Sequence, residues 1–307
     1  MRRGVQLFKL LMGYALLAIW LTACGGNPVP ATQTQAVTPS DTPLPTETEP
    51  PPTPTPTQVP LVARVNGEAL TLEEFQAELA RFEAAQDSTE PVDEASARDR
   101  VLQDLISQVL LAQGAREAGY SVDDATLQSR LDQLTVSIGG EAALQSWMEA
   151  NQFTTESLLT GLRRTIEAAW MRDRILAEVP TTAEQTHARQ ILFYKVDEAN
   201  EALAQLDAGT DFAELAGTYN PVSSGDLGWF PRGYLTEPTL EEAAFSLQPG
   251  EYSRVIETRL GFHILQVIER EAQHPLDPQA YLIQQELALK DWLDSRTGQS
   301  DIEITLP

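Results

Sequence analysis

The sequence predicts an α+β fold with helices and strands segregated along the chain. Two observations lead there. Between residues 71 and 178, apolar side chains recur at helical spacing in runs bounded by capping residues and glycines. Between 188 and 267, short apolar or alternating stretches are separated by turns containing Gly and Pro. With 307 residues, 42% of them hydrophobic, the chain has material for about two domain cores. Its 45 acidic residues against 21 basic ones leave a net charge of −24. Such a surface repels polyanions, which argues against nucleic acid and against polybasic contact with anionic lipid. The single cysteine excludes an internal disulfide and a cysteine-rich zinc site. The three histidines, His187, His263 and His274, lack HxxxH or HxH spacing, so no metal site is expected.

The N-terminus has its own pattern. Arg2, Arg3 and Lys9 precede an apolar run from Leu10 to Leu21. Twelve residues rise about 18 Å as a helix, short of a roughly 30 Å bilayer core, which suits a cleaved signal peptide over 1–23. The run ends in Leu21-Thr22-Ala23-Cys24, which resembles the lipobox of bacterial lipoproteins. That resemblance implies lipidation of Cys24, cleavage before it, and an extracytoplasmic protein held to the membrane by acyl chains. Residues 24–60 read as a linker. Positions 28–60 alone hold 11 of the 20 prolines and nine threonines, with no aromatic residue. A stretch of this kind buries too little apolar area to fold, and as extended chain spans on the order of 100 Å.

Residues 61–182 predict a helical domain. Val62 to Leu70 reads as two short extended pieces about an Asn66-Gly67 turn. Thr71-Leu72-Glu73-Glu74 is a capping box opening a helix with Leu72, Phe75, Leu79 and Phe82 on one face. Further amphipathic helices are predicted over about 94–118, from Asp123-Asp124 to Gly139-Gly140, and near 141–150 and 155–178. The strings VARVNGEALTLEEF and AREAGYSVDDATLQSRL resemble the N-terminal chaperone domain of extracytoplasmic foldases of the SurA/PrsA/PpiD type. The resemblance implies a discontinuous domain, completed by residues 272–307. There, 278–293 form an amphipathic helix with Tyr281, Leu282, Ala288, Leu289, Trp292 and Leu293 on one side, and Ile302 to Ile304 add a strand.

Residues 183–271 predict a strand over 188–193, helices at about 198–208 and 211–218, a glycine-punctuated loop over 225–233, and a short helix over 241–247. Two paired strands flank Gly261. The strings ARQIL, DFAELAGTYN, GDLGWFPRG, EEAAFSLQPGE and GFHILQVIER, in this order, resemble a parvulin-type (PpiC, rotamase) peptidyl-prolyl isomerase domain. The resemblance implies a four-stranded antiparallel sheet with surrounding helices, and an extended substrate whose proline enters an apolar pocket.

Rotation about an X-Pro bond crosses a barrier of roughly 20 kcal/mol without making or breaking a covalent bond, so no cofactor is required. The protein has to grip the proline and favour the twisted amide. In the family, two facing histidines and a Cys or Asp surround that amide. His263 matches the second histidine, while Gln190 stands where the first is found. His187 lies three residues earlier and points to the opposite strand face. Leu227, Phe230, Leu235, Leu240 and Phe245 match the pocket, and each would serve equally as plain core. Thr258 matches the polar position before the histidine strand. The stretch 218–224 is shorter than usual, leaving Asn220, Ser223 and Ser224 as the polar candidates for the Cys/Asp position. The expected function is a membrane-anchored foldase with isomerase activity, acting on unfolded or newly exported polypeptides containing X-Pro bonds. The alternative is a holdase whose parvulin domain only binds extended chain.

Overall fold

The structure, a computed structural model, describes residues 59–86, 92–151 and 153–305. The predicted signal peptide, Cys24 and the linker up to residue 58 lie outside the described residues. Strands β1 (Leu61–Val65) and β2 (Glu68–Thr71) form a hairpin whose turn places Asn66 and Gly67 at positive φ. Thr71 then caps α1 (Leu72–Ala85): its hydroxyl accepts from the Glu74 N–H, and the Glu74 carboxylate accepts from the Thr71 N–H. Four more helices follow, α2 (Glu94–Glu117), α3 (Asp124–Ile138), α4 (Glu141–Ala150) and α5 (Thr155–Ala177). Asp93, Asp123 and Thr154 cap three of them by accepting hydrogen bonds from first-turn amides.

The chain continues through β3 (Thr182–Phe193), α6 (Val196–Asp207), α7 (Phe212–Tyr219), β4 (Asp226–Pro231), α8 (Pro238–Ser246), β5 (Ile256–Thr258) and β6 (Gly261–Pro275). It ends in α9 (Pro278–Gln299) and β7 (Ile302–Ile304). The four strands β4-β3-β6-β5 form an antiparallel sheet in that order. The 225–233 segment, expected as a loop, is largely strand β4, because its backbone pairs with Gln185 to Arg189 of β3. Side-chain alternation along β3 and β6 divides the core in two. Ile191, Phe193 and Ile264 pack under α6 and α7, whereas Ala188, Leu265 and Val267 pack against Phe230 and Phe245.

The end of the chain returns to its beginning. β7 pairs with β1, giving a second sheet of order β2-β1-β7. Trp292 of α9 packs both on the cluster around Val109 and Leu110 and on that of Leu111, Ala168 and Ile175. Its ring lies where a Cβ on Gly114 would stand, 2.7 Å away, so the two helices approach closely only because that position is glycine. One expectation for α9 fails: Leu282 is 46% exposed. It lies nearer the start of α9, outside the stretch in which Ala288, Leu289, Trp292 and Leu293 pack on the cluster of Leu111, Ala168 and Ile175.

Candidate functional site

The site forms on the α8-facing side of the sheet. Gln190 stands opposite Leu265, and Leu192 opposite His263, so Gln190 and His263 are diagonal neighbours on one face. His263 Nδ1 lies 2.8 Å from Gln190 Oε1, and His263 Nε2 lies 2.9 Å from Thr258 Oγ1. The β5–β6 turn holds Thr258, whose hydroxyl oxygen accepts from the Leu260 N–H at 3.0 Å. With Gln190 Oε1 accepting, a proton sits on His263 Nδ1, and the Thr258 hydroxyl lies between Nε2 at 2.9 Å and the Gly261 carbonyl oxygen at 3.4 Å. Both ring nitrogens are thus held by uncharged partners. Burial pushes the His263 pKa below the ordinary histidine value, against a smaller upward pull from Glu237.

The loop before β4 seats on the same residue. The Gln190 N–H donates to the Gly225 carbonyl at 2.9 Å. Gly225 has φ +72°, and a Cβ there would stand 1.8 Å from the Gln190 carbonyl oxygen. Among the described residues, no side chain of Asn220, Ser223 or Ser224 bonds to Gln190 or His263. Asn220 Oδ1 instead takes the Ser223 N–H of its own loop at 3.4 Å.

The five expected pocket residues separate into two kinds. Phe230, Leu240 and Phe245 are buried, while Leu227 and Leu235 are only half-buried. Leu227, Phe230, Leu235 and Phe245 share one cluster, with the Phe230 and Phe245 rings edge to face at 6.1 Å. Leu240 is buried on α8 outside that cluster. The Phe230 and Phe245 rings thus lie beneath the two less buried leucines. Two arginines that motif reading passed over brace this floor. Arg232 lies over the Phe245 ring at 4.2 Å. Arg270 donates to the Ala244 and Leu247 carbonyls at 2.8 and 2.7 Å, closing the end of α8. In sequence they are single charges in a turn and a strand, and nothing local marks their partners.

His187 is absent from the site. It meets Asp226 Oδ1 at 2.8 Å and packs against Trp229, which stacks on His274 at 4.1 Å. The chemistry left around His263 is an apolar floor beside a neutral, oriented hydrogen-bond chain. Among the described residues no group of three or more His, Cys, Asp or Glu gathers to hold a metal ion. Such a site suits holding a ring and orienting an amide.

The fold joins a sheet domain flanked by helices to a helical region. Residues 175–269 match the family model of the PPIC-type PPIase domain, and residues 55–158 that of the SurA-like N-terminal domain. Segment by segment, the chain is similar to these two families. Among its relatives is the foldase protein PrsA of Geobacillus kaustophilus, 29% identical over 66% of this chain and 73% of that one. Another is the chaperone SurA of Methylobacillus flagellatus, 35% identical over 41% of this chain. The match spans only 34% of that SurA's length. A solved PrsA from Bacillus cereus superposes with a TM-score of 0.41 at 19% identity, covering 79% of this chain and 87% of that one. The named relatives support a foldase or chaperone role.

Proposed function

We propose that the chain is an extracytoplasmic, lipid-anchored foldase that binds X-Pro segments of unfolded or newly exported polypeptides and isomerises them slowly. The Thr258–His263–Gln190 chain above the Phe230 and Phe245 floor is the observation that carries this reading. In it, Leu227 and Leu235 contact the proline ring, with Phe230, Leu240 and Phe245 supporting them. His263 fixes Gln190 through its oxygen, leaving the amide N–H2 group, which has no partner among the described residues, to donate to the substrate amide. Directed at the proline nitrogen, that donation is worth most in the twisted state, where the nitrogen lone pair is no longer delocalised into the carbonyl. Gln190 cannot match the tautomers or ring packing of an imidazole, so turnover is slow while binding persists.

The proposed organisation places 61–182 and 272–307 in one helical client-binding domain around a 183–271 isomerase domain. Pairing of β7 with β1 and packing of α9 on α2 and α5 support it. The anchor rests on the sequence around Cys24. Labelled fatty acid should enter the wild-type chain and not Cys24→Ser; equal labelling would remove the anchor.

The catalytic test compares wild type, Gln190→His and His263→Ala for isomerisation of a proline peptide and for its binding. Gln190→His should be about tenfold faster at similar affinity, the equivalent of one well-placed polar contact, and His263→Ala slower. Binding without turnover in both wild type and Gln190→His would favour the holdase reading, which glutamine at this position already supports.

A further inference from the structure

The loop carrying Leu235 is held from two sides. On one side Glu241 of α8 accepts the Gly233 and Leu235 N–H groups, at 2.6 and 3.1 Å. On the other, α9 reaches across: Gln284 Nε2 donates to the Arg232 carbonyl at 2.8 Å. Leu287 presses on Gly233 so closely that a Cβ there would stand 2.3 Å from Leu287 Cδ1, at a backbone φ of +81°. Between them, Arg232 covers the Phe245 ring. Beside these contacts lies a cleft of about 640 Å³ bounded by Met171, Ile175, Gly233, Leu287 and Trp292, so the loop meets α9 at discrete points and not through broad packing.

We infer that Gln284 and Leu287 are positioning residues for the proline pocket: α9, the helix that packs on α2 and α5, sets the place of Leu235 and of the Arg232 cover over Phe245. The inference rests on the proposed pocket and adds that a helix outside the isomerase fold shapes it. A displacement of α9 on α5 is passed to the 232–235 loop through Gly233.

The experiment uses the full chain as wild type, Leu287→Ala, Leu287→Met and the exposed control Leu282→Ala. Amide hydrogen exchange is read at Gly233 and Leu235 and across β3 and β6, together with affinity for a proline peptide. Leu287→Ala should exchange about tenfold faster at Gly233 and Leu235, with the sheet amides unchanged and peptide affinity several-fold weaker. Leu287→Met and Leu282→Ala should stay near wild type. Unchanged exchange at Gly233 and Leu235, or an equal rise throughout the sheet, would overturn the positioning role. A wild type that binds no proline peptide would sink the proposed function instead, and the exchange data would still decide the clamp.

Discussion

His263 is held between two uncharged partners, Gln190 and Thr258, at 1% exposure. A proton added there would have to enter at Nε2, against the Thr258 hydroxyl, in a poorly solvated place. The folded-state pKa lies below the ordinary value of 6.5, so between the two values the unfolded chain binds more protons than the folded one. The contribution of this group is therefore complete above about pH 6.5 and is lost as the pH falls towards the folded pKa. Urea unfolding from pH 7.5 down to 5.5 should show wild type losing stability more steeply than His263→Gln. Parallel slopes would contradict the buried neutral imidazole. Gly225 makes the neighbouring case. With φ +72° and no room for a Cβ beside the Gln190 carbonyl, Gly225→Ala should cost more than about 2 kcal/mol in thermal unfolding and displace Gln190.

Elements carry residues into place through their period. On β6, His263, Leu265 and Val267 share one face and Ile264 takes the other, so the strand that buries the core also delivers the imidazole. The start of α1 shows how a local motif acquires a distant duty. Glu74 closes the capping box on Thr71, and its other oxygen lies 2.6 Å from Arg164 of α5, with both side chains largely buried. Thr71→Ala should cost about 1 kcal/mol, the usual worth of a cap. Glu74→Ala should cost about 3–5 kcal/mol, because it also leaves the Arg164 guanidinium buried without its carboxylate. Calorimetry on the two variants checks the ranking, and equal losses would reduce Glu74 to a cap.

At the scale of the molecule, α9 and β7 close the helical part on residues more than 100 positions earlier in the chain, with Arg296 paired to Glu117 and β7 laid against β1. Trp292 fills the space left by Gly114 and joins two apolar clusters. Trp292→Ala should therefore destabilise the helical part by about 3 kcal/mol. Ending the chain after residue 275 should lower its melting temperature further, since it uncovers the same clusters and removes a strand. A melting temperature unchanged by that truncation would show that α9 is only a passenger.

Local physics was legible in the sequence. Thr71 and Asp123 cap helices because short polar side chains reach first-turn amides, and apolar periodicity marks α2 and α5 as buried and His263 as a strand residue. Other features were decided only when the chain closed on itself. Whether 226–231 is loop or strand depends on β3 lying beside it, since a glycine-rich backbone takes its conformation from the hydrogen bonds on offer. Leu282 and Leu289 read alike in sequence, but Leu289 packs on the cluster of Ala168 and Ile175 while Leu282 is exposed. The same holds for the Arg232 cover on Phe245 and the Leu287 contact at Gly233, which join residues tens of positions apart or on different elements. Capping and periodicity act over a few residues and are written in their order; burial, pairing and the packing of one side chain on another depend on which surfaces meet.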